Sequence, residues 1–198
     1  AASTKSERSV IDGQTPLGVA TTRDLDRLAA AVGLLDGAPL AFEAAKDVPM
    51  GGVLCALPAL LELGLLRHTR DTFSLPKGYY PIETIFLALA FLALARIRSL
   101  ESLRYQAPGE WGKLLGLDRI PEVKTMREKI GLLCEESGRA QRWSSQLSKE
   151  WMAASPDAAG ALYIDGHVRV YHGDQTELPR RFVARQKLCL RGTTDYWV

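Results

Sequence analysis

A chain of 198 residues with 46% hydrophobic residues is long enough for one large domain or two small ones with a real core, and its composition is that of a soluble globular protein. The formal charge of +2 is too small to establish a nucleic-acid partner by itself and permits only local basic faces. Cys55, Cys134 and Cys189 are odd in number, widely separated and without a C-x-x-C pair, which argues against a disulfide framework or a zinc finger and predicts reduced, mostly buried thiols in a cytoplasmic protein.

Residues 1–21 are rich in Ser, Thr and Gly and poor in large apolar groups, so a flexible arm is expected there. Thr22 reads as a helix N-cap, after which Leu25, Leu28, Ala29, Val32 and Leu35 follow helical spacing as far as Asp36-Gly37. Beyond the break at Pro49-Met50-Gly51-Gly52, the run from Val53 to Leu66 suits a buried helix, with Pro58 tolerable only near its first turn. Arg67 to Lys77 is expected to be a polar connection. Pro81 looks like the first position of a long central helix through Ile97. Its most apolar stretch, Ile85 to Ala95, is short of the ~20 residues needed to cross a bilayer, and the N-terminus has no basic region followed by an apolar one. A protein that neither spans a membrane nor is exported is expected.

Between Ser99 and Cys134 three short helical patterns are separated by Ala107-Pro108-Gly109 and by the stretch from Gly116 to Pro121. In the last of them Val123, Met126, Ile130 and Leu133 share a face, which leaves Lys124, Arg127 and Lys129 toward solvent or a partner. The arrangement resembles a helix-turn-helix, and both a DNA-contacting face through Lys124 and Arg127 and a plain solvated face fit it. Trp143, Leu147 and Trp151 keep helical spacing until Ser155-Pro156-Asp157. The hydrophobic period then changes to two, through Leu162 and Ile164, Val168 and Val170, and Leu188 and Leu190. The expected class is therefore α+β, a helical region over 22–157 followed by a β-rich segment over 158–198.

The apolar run that ends in Asp165 is the most informative stretch of the chain. A carboxylate at the end of a buried strand is held by partners or used in chemistry, because an unpaired buried charge costs several kcal/mol. His167 stands two residues on and would share its face, but with Gly166 between them and no third ligand a surface or hydrogen-bonded histidine is favoured, and His172 reads as a turn residue.

Leu162-Tyr163-Ile164-Asp165-Gly166, followed by Tyr171-His172-Gly173-Asp174-Gln175 and a basic stretch, resembles the start of the catalytic domain of bacterial insertion-sequence DDE transposases. The apolar helix from Ile85 to Ala95 and the segment from Leu114 to Pro121 are similar to the helical region that precedes that domain. The resemblance implies that residues from about 158 begin an RNase H-like fold, that Asp165 is the first carboxylate of the catalytic, metal-binding set, and that Mg²⁺ or Mn²⁺ serves strand cleavage and transfer in DNA transposition. Divalent ions do this by activating the attacking oxygen and stabilising the leaving one, with carboxylates as hard ligands. The chain ends at Val198, before the positions where the family carries its second Asp and its Glu, and Asp174, Glu177 and Asp195 do not stand in for them. A chain inactive by itself is therefore expected.

Arg180, Arg181, Arg185 and Lys187, with Arg191 beyond them, add a local basic excess near Asp165. From the residues alone, phosphate contacts and a strand edge guarded by charge fit it equally, and the resemblance favours double-stranded DNA as partner. Three functional readings follow: a transposase acting in its complete form, a non-enzymatic DNA-binding or multimerising fragment of one, and, from the apolar richness of Val53 to Leu66 and Ile82 to Ile97, a helical protein-interaction module unrelated to DNA. Homo-oligomerisation is left open.

Overall fold

The structure is a computed structural model that describes residues 23–46, 48–160 and 163–197. The flexible arm expected over 1–21, the N-cap at Thr22 and the strand residue Leu162 lie outside the described residues. The chain divides into two compact units, Ala1–Lys149 and Glu150–Val198.

The first unit is helical and is built around one helix. Pro81 adopts an extended conformation and caps α4, Ile82–Leu94, whose sequence IETIFLALAFLAL leaves almost no polar face. Ile85, Ala88, Phe91 and Leu92 on it are buried, so it forms the centre of the core, as its composition predicts. Around it stand α1, Asp24–Ala31, α2, Leu57–Glu62, and the single turn α3, Thr69–Thr72. Later in the chain come α5, Pro108–Leu114, α6, Val123–Cys134, and α7, Arg139–Ala154, with a 3-10 segment at Leu100–Tyr105. The three short helical patterns expected between Ser99 and Cys134 are all present. Val123, Met126 and Leu133 turn inward from α6, and Leu147 from α7.

Three expectations for this unit are corrected. The first helix stops at Ala31, and its apolar residues Leu25 and Leu28 stay 82% and 64% exposed. Its other face turns inward, where Arg23 and Arg27, four residues apart, donate to two backbone carbonyls and to the buried Asp118. Arg23 donates to the Pro39 carbonyl and, at 2.9 Å, to the Gly116 carbonyl, while Arg27 grips Asp118. Val53 to Leu66 is not one helix: a 3-10 segment at Gly51–Ala56 leads into α2, and the division follows from Pro58, which lacks an N–H and is accepted only in a first turn. The polar connection from Arg67 to Lys77 contains α3 and the buried Phe73. Phe73 meets Phe86 at 5.4 Å and Trp143 at 6.3 Å between ring centroids, and Trp143 Nε1 donates to the Arg67 carbonyl at 2.8 Å.

The second unit carries a three-stranded antiparallel sheet of β1, Asp165–Val170, β2, Arg180–Val183, and β3, Leu188–Trp197, in the order β1-β3-β2. The two neighbours of β3 occupy different halves of it: Arg180↔Arg191 and Val183↔Leu188 on one side, Val170↔Gly192 and Asp165↔Trp197 on the other. Gly192 is needed at the junction, since a Cβ there would stand 2.3 Å from the Arg169 carbonyl oxygen. Helix before about Ala154 and strands after it agree with the expected α+β class.

Two further expectations fail here or nearby. Cys55, Cys134 and Cys189 are free, as expected, but all three are exposed. Tyr163 and Ile164 belong to no strand and are 87% and 72% exposed, so Asp165 opens an exposed strand and does not end a buried one. Among the described residues of this unit only Gly192 is fully buried, so alternating apolar residues did not imply a covered face.

Candidate nucleic-acid interface

Two places in the molecule gather charge. In the first unit, Asp118 is buried at the bend between α5 and α6, and it accepts from Arg27 Nε at 2.6 Å and from Arg27 Nη2 at 2.8 Å, a bidentate pair. Tyr79 OH donates to the same carboxylate at 2.6 Å, and the Arg27 guanidinium lies 4.1 Å from the Tyr79 ring centroid. Tyr80 OH accepts from Arg27 at 3.0 Å and donates to the Arg119 carbonyl at 3.2 Å. Burial by itself would raise the Asp118 pKa, but the hydrogen bonds from Arg27 and Tyr79 outweigh it and hold the carboxyl below the ordinary range. Burial also acts to lower the Arg27 pKa, and its bonds to Asp118 and Tyr80 reverse that effect. The Tyr79 hydroxyl is pushed up, first by burial and then by its bond to Asp118. This cluster is a clamp: it fixes the bend carrying Arg119, Ile120 and Pro121.

On the face of α6 singled out by its basic residues, Arg127 is compensated and Lys124 only loosely so. Lys124 and Arg127 are exposed, but Arg127 is bound by Glu101, which also holds Arg104 at 2.9 Å. Lys124 stands 3.9 Å from Glu128, and Lys129 is half-buried, its pKa lowered by desolvation. The connection from α5 to α6 runs over 115–122 and is longer than the three or four residues that usually join a helix-turn-helix.

In the second unit Arg180, Arg181, Arg185, Lys187 and Arg191 are exposed along the β2–β3 hairpin, and none forms an ion pair among the described residues. Arg180 lies directly opposite Arg191 in the antiparallel register, where like charges repel. Lys187 closes the turn in a left-handed conformation at φ 53. A hairpin that tolerates this much uncompensated charge presents a strip suited to polyanion backbone contacts.

The sheet also sets the acidic residues relative to each other. Asp165 is exposed at the start of β1, His167 lies opposite Asp195, and Asp195 is held by Arg169 at 2.8 Å. No group of three His, Cys, Asp or Glu stands close enough to hold a metal ion among the described residues. One carboxylate does not retain a hard divalent ion, so the described residues do not by themselves fit Mg²⁺ or Mn²⁺.

Comparison with known proteins supplies what the geometry leaves open, since a family model described as "Transposase protein" matches residues 18–198. The chain belongs to a transposase family. The match covers the helical unit and the sheet alike, so both belong to the same transposase chain and the basic hairpin is part of its matched region. No curated protein matches the chain, and no solved structure does. No helix of this transposase chain is long and apolar enough to cross a membrane among the described residues.

Sequence reading missed the Arg27–Asp118 clamp, because its members lie far apart in the chain and Asp118 sits in a stretch that reads as a separator. It also missed Gln106 and Arg119, which the fold brings beside Lys124. An Asp directly after the apolar run Leu114 to Leu117 was the one available signal.

Proposed function

We propose that this transposase chain binds duplex DNA through the β2–β3 hairpin and belongs to the DDE type with an RNase H-like catalytic domain, Asp165 being the first carboxylate of its metal-binding set. The observation that carries the DNA part of this reading is the run of cations from Arg180 to Arg191 without acidic partners among the described residues. Five such groups neutralise backbone phosphates without reading sequence, and the counterions they displace make binding salt-dependent. The resemblance around Asp165, together with its place at the opening of an antiparallel strand, supports the catalytic part. The metal, Mg²⁺ or Mn²⁺, requires further carboxylates besides Asp165, so the described residues account for holding DNA and no cleavage step is assigned to them.

Titration of labelled duplex with the chain tests the reading. Affinity should fall roughly a hundredfold or more between about 50 mM and about 200 mM salt, and an Arg180→Glu, Arg191→Glu double variant should weaken binding further and flatten that slope. Binding that is indifferent to salt, or unaffected in the double variant, overturns the assignment to the hairpin. In a preparation that cleaves DNA, Asp165→Asn should abolish cleavage and leave binding unchanged, and comparable cleavage by the variant removes Asp165 from the catalytic set.

A further inference from the structure

A cleft of about 510 Å³ opens in the first unit where the segment Leu100–Tyr105, the bend before α6 and the start of α6 meet. Its floor is apolar, made by Leu103, Ile120, Pro121 and Val123. Its rim carries Arg119 and Lys124, with the acid Glu122 and with Arg104, which Glu101 already holds. Arg119 stands 3.7 Å from Asp118 and Lys124 3.9 Å from Glu128, loose contacts that leave both cations available to an anion. One amide sits between floor and rim: Gln106 Oε1 accepts from the buried Trp111 Nε1 at 3.2 Å, which directs the Gln106 NH₂ away from that bond as a donor.

The walls are held in advance of any ligand. Ile120 N–H donates to the Pro108 carbonyl at 2.9 Å, and Tyr80 OH donates to the Arg119 carbonyl. Gly112 lets the bend approach α5 so closely that a Cβ on it would lie 2.4 Å from the Arg119 nitrogen. An apolar floor, one positioned donor and a pair of cations are the features of a small-molecule pocket of ordinary size. Together they ask for a flat apolar group with a hydrogen-bond acceptor and a negative charge at its edge.

We propose that this cleft receives one unstacked nucleotide of a DNA strand, its base on the apolar floor beside Gln106 and its phosphate between Arg119 and Lys124. The assignment rests on the DNA reading above and adds a place where the strand is read as a single nucleotide. A fully paired duplex cannot fill the cleft, because its bases are stacked away from the surface and only its phosphates would reach the rim. An unpaired nucleotide fills floor and rim together.

The test compares three probes with the 198-residue chain: a fully paired duplex, the same duplex with one unpaired nucleotide, and a free deoxynucleoside monophosphate. The duplex with the unpaired nucleotide should bind about tenfold more tightly than the paired one, and the free nucleotide should not compete at concentrations near the affinity of the duplex. Gln106→Glu keeps the acceptor for Trp111 and replaces the donor by a carboxylate, so it should erase the tenfold preference while affinity for paired duplex stays within about twofold. The exposed Lys124→Ala should reduce the preference in a chain whose melting is unchanged, which decides the matter if Gln106→Glu does not fold. Equal affinity for both duplexes, with salt-dependent binding intact, overturns the cleft assignment and leaves the hairpin reading standing. Competition by free nucleotide overturns the assignment to a strand, and loss of all duplex binding overturns the DNA reading on which the cleft depends.

Discussion

The two units of this chain are held together by different physics. In the first, Trp111, Phe91, Ile85 and Met126 are each at most 1% exposed, around a helix that is apolar nearly throughout. In the second, Gly192 alone is fully buried among the described residues, and Phe182, Leu188 and Tyr196 stand exposed on their strands. The first unit is therefore stabilised mainly by apolar surface removed from water, the second by backbone pairing of β3 with β1 and β2. The two proposed sites divide along the same line. Uncompensated cations lie on the unit with little packing to disturb, while the firmly packed unit holds a shaped cleft.

The largest expected effect is in the core of the first unit. Phe91→Ala should cost about 3–5 kcal/mol in denaturant unfolding, by lost transfer energy and a cavity that dense packing cannot close. The matching truncation in the sheet, Phe182→Ala, should shift the midpoint by no more than about 0.5 kcal/mol, since the ring is already 61% exposed. Comparable costs at the two positions would break the contrast.

Next in size is Asp118→Asn, which leaves the Arg27 guanidinium without its counter-charge and should cost about 3 kcal/mol. The sign with pH follows from the depressed folded-state pKa of Asp118: its contribution is present above the unfolded value of about 4 and is lost as pH falls through the folded value. Acid titration of the wild-type chain should show a loss of first-unit stability in that range, and a shallower one in Asp118→Asn. Identical acid profiles would remove Asp118 as the clamp.

Gly192→Ala should act on the second unit alone. The added Cβ meets the Arg169 carbonyl, so β1 pairing weakens and the amides of 165–170 should exchange with solvent faster, while those of 82–94 keep their protection. Slowed or unchanged exchange over 165–170 would show that the strand bears the methyl without shifting. The smallest effect belongs to exposed ion pairs such as Lys77 with Asp36, 3.0 Å apart: Lys77→Ala should change stability by at most about 0.5 kcal/mol, measured by thermal unfolding.

Much of this was legible in the residues themselves. The central helix, expected from Pro81 through Ile97 and found over Ile82–Leu94, the shared face of Val123, Met126 and Leu133, the helix carrying Trp143 and Leu147, and the change to strands after Ala154 all follow from hydrophobic period and from Pro and Gly punctuation. These are local properties, and a side-chain pattern with a period of 3.6 or 2 records them directly. The resemblance around Asp165 was likewise carried by a short contiguous motif, and the family match agrees with its coarser part, a transposase.

Other features were decided only by what the chain folds against. The inward turn of Arg27, with Leu25 and Leu28 left outward, depends on Asp118, 91 residues further along the chain, because a buried carboxylate requires a partner. Phe73 looked like part of a polar linker until Phe86 and Trp143 met it. The exposure of Asp165 follows from the absence of a covering layer among the described residues of its unit, which an alternating pattern cannot report. The cleft beside Gln106 exists because separate segments converge and Gly112 permits their approach. Period and composition determine which elements form and which residues are able to be buried; which of them become buried, and which charges find partners, is settled by long-range contacts whose energies no local window contains.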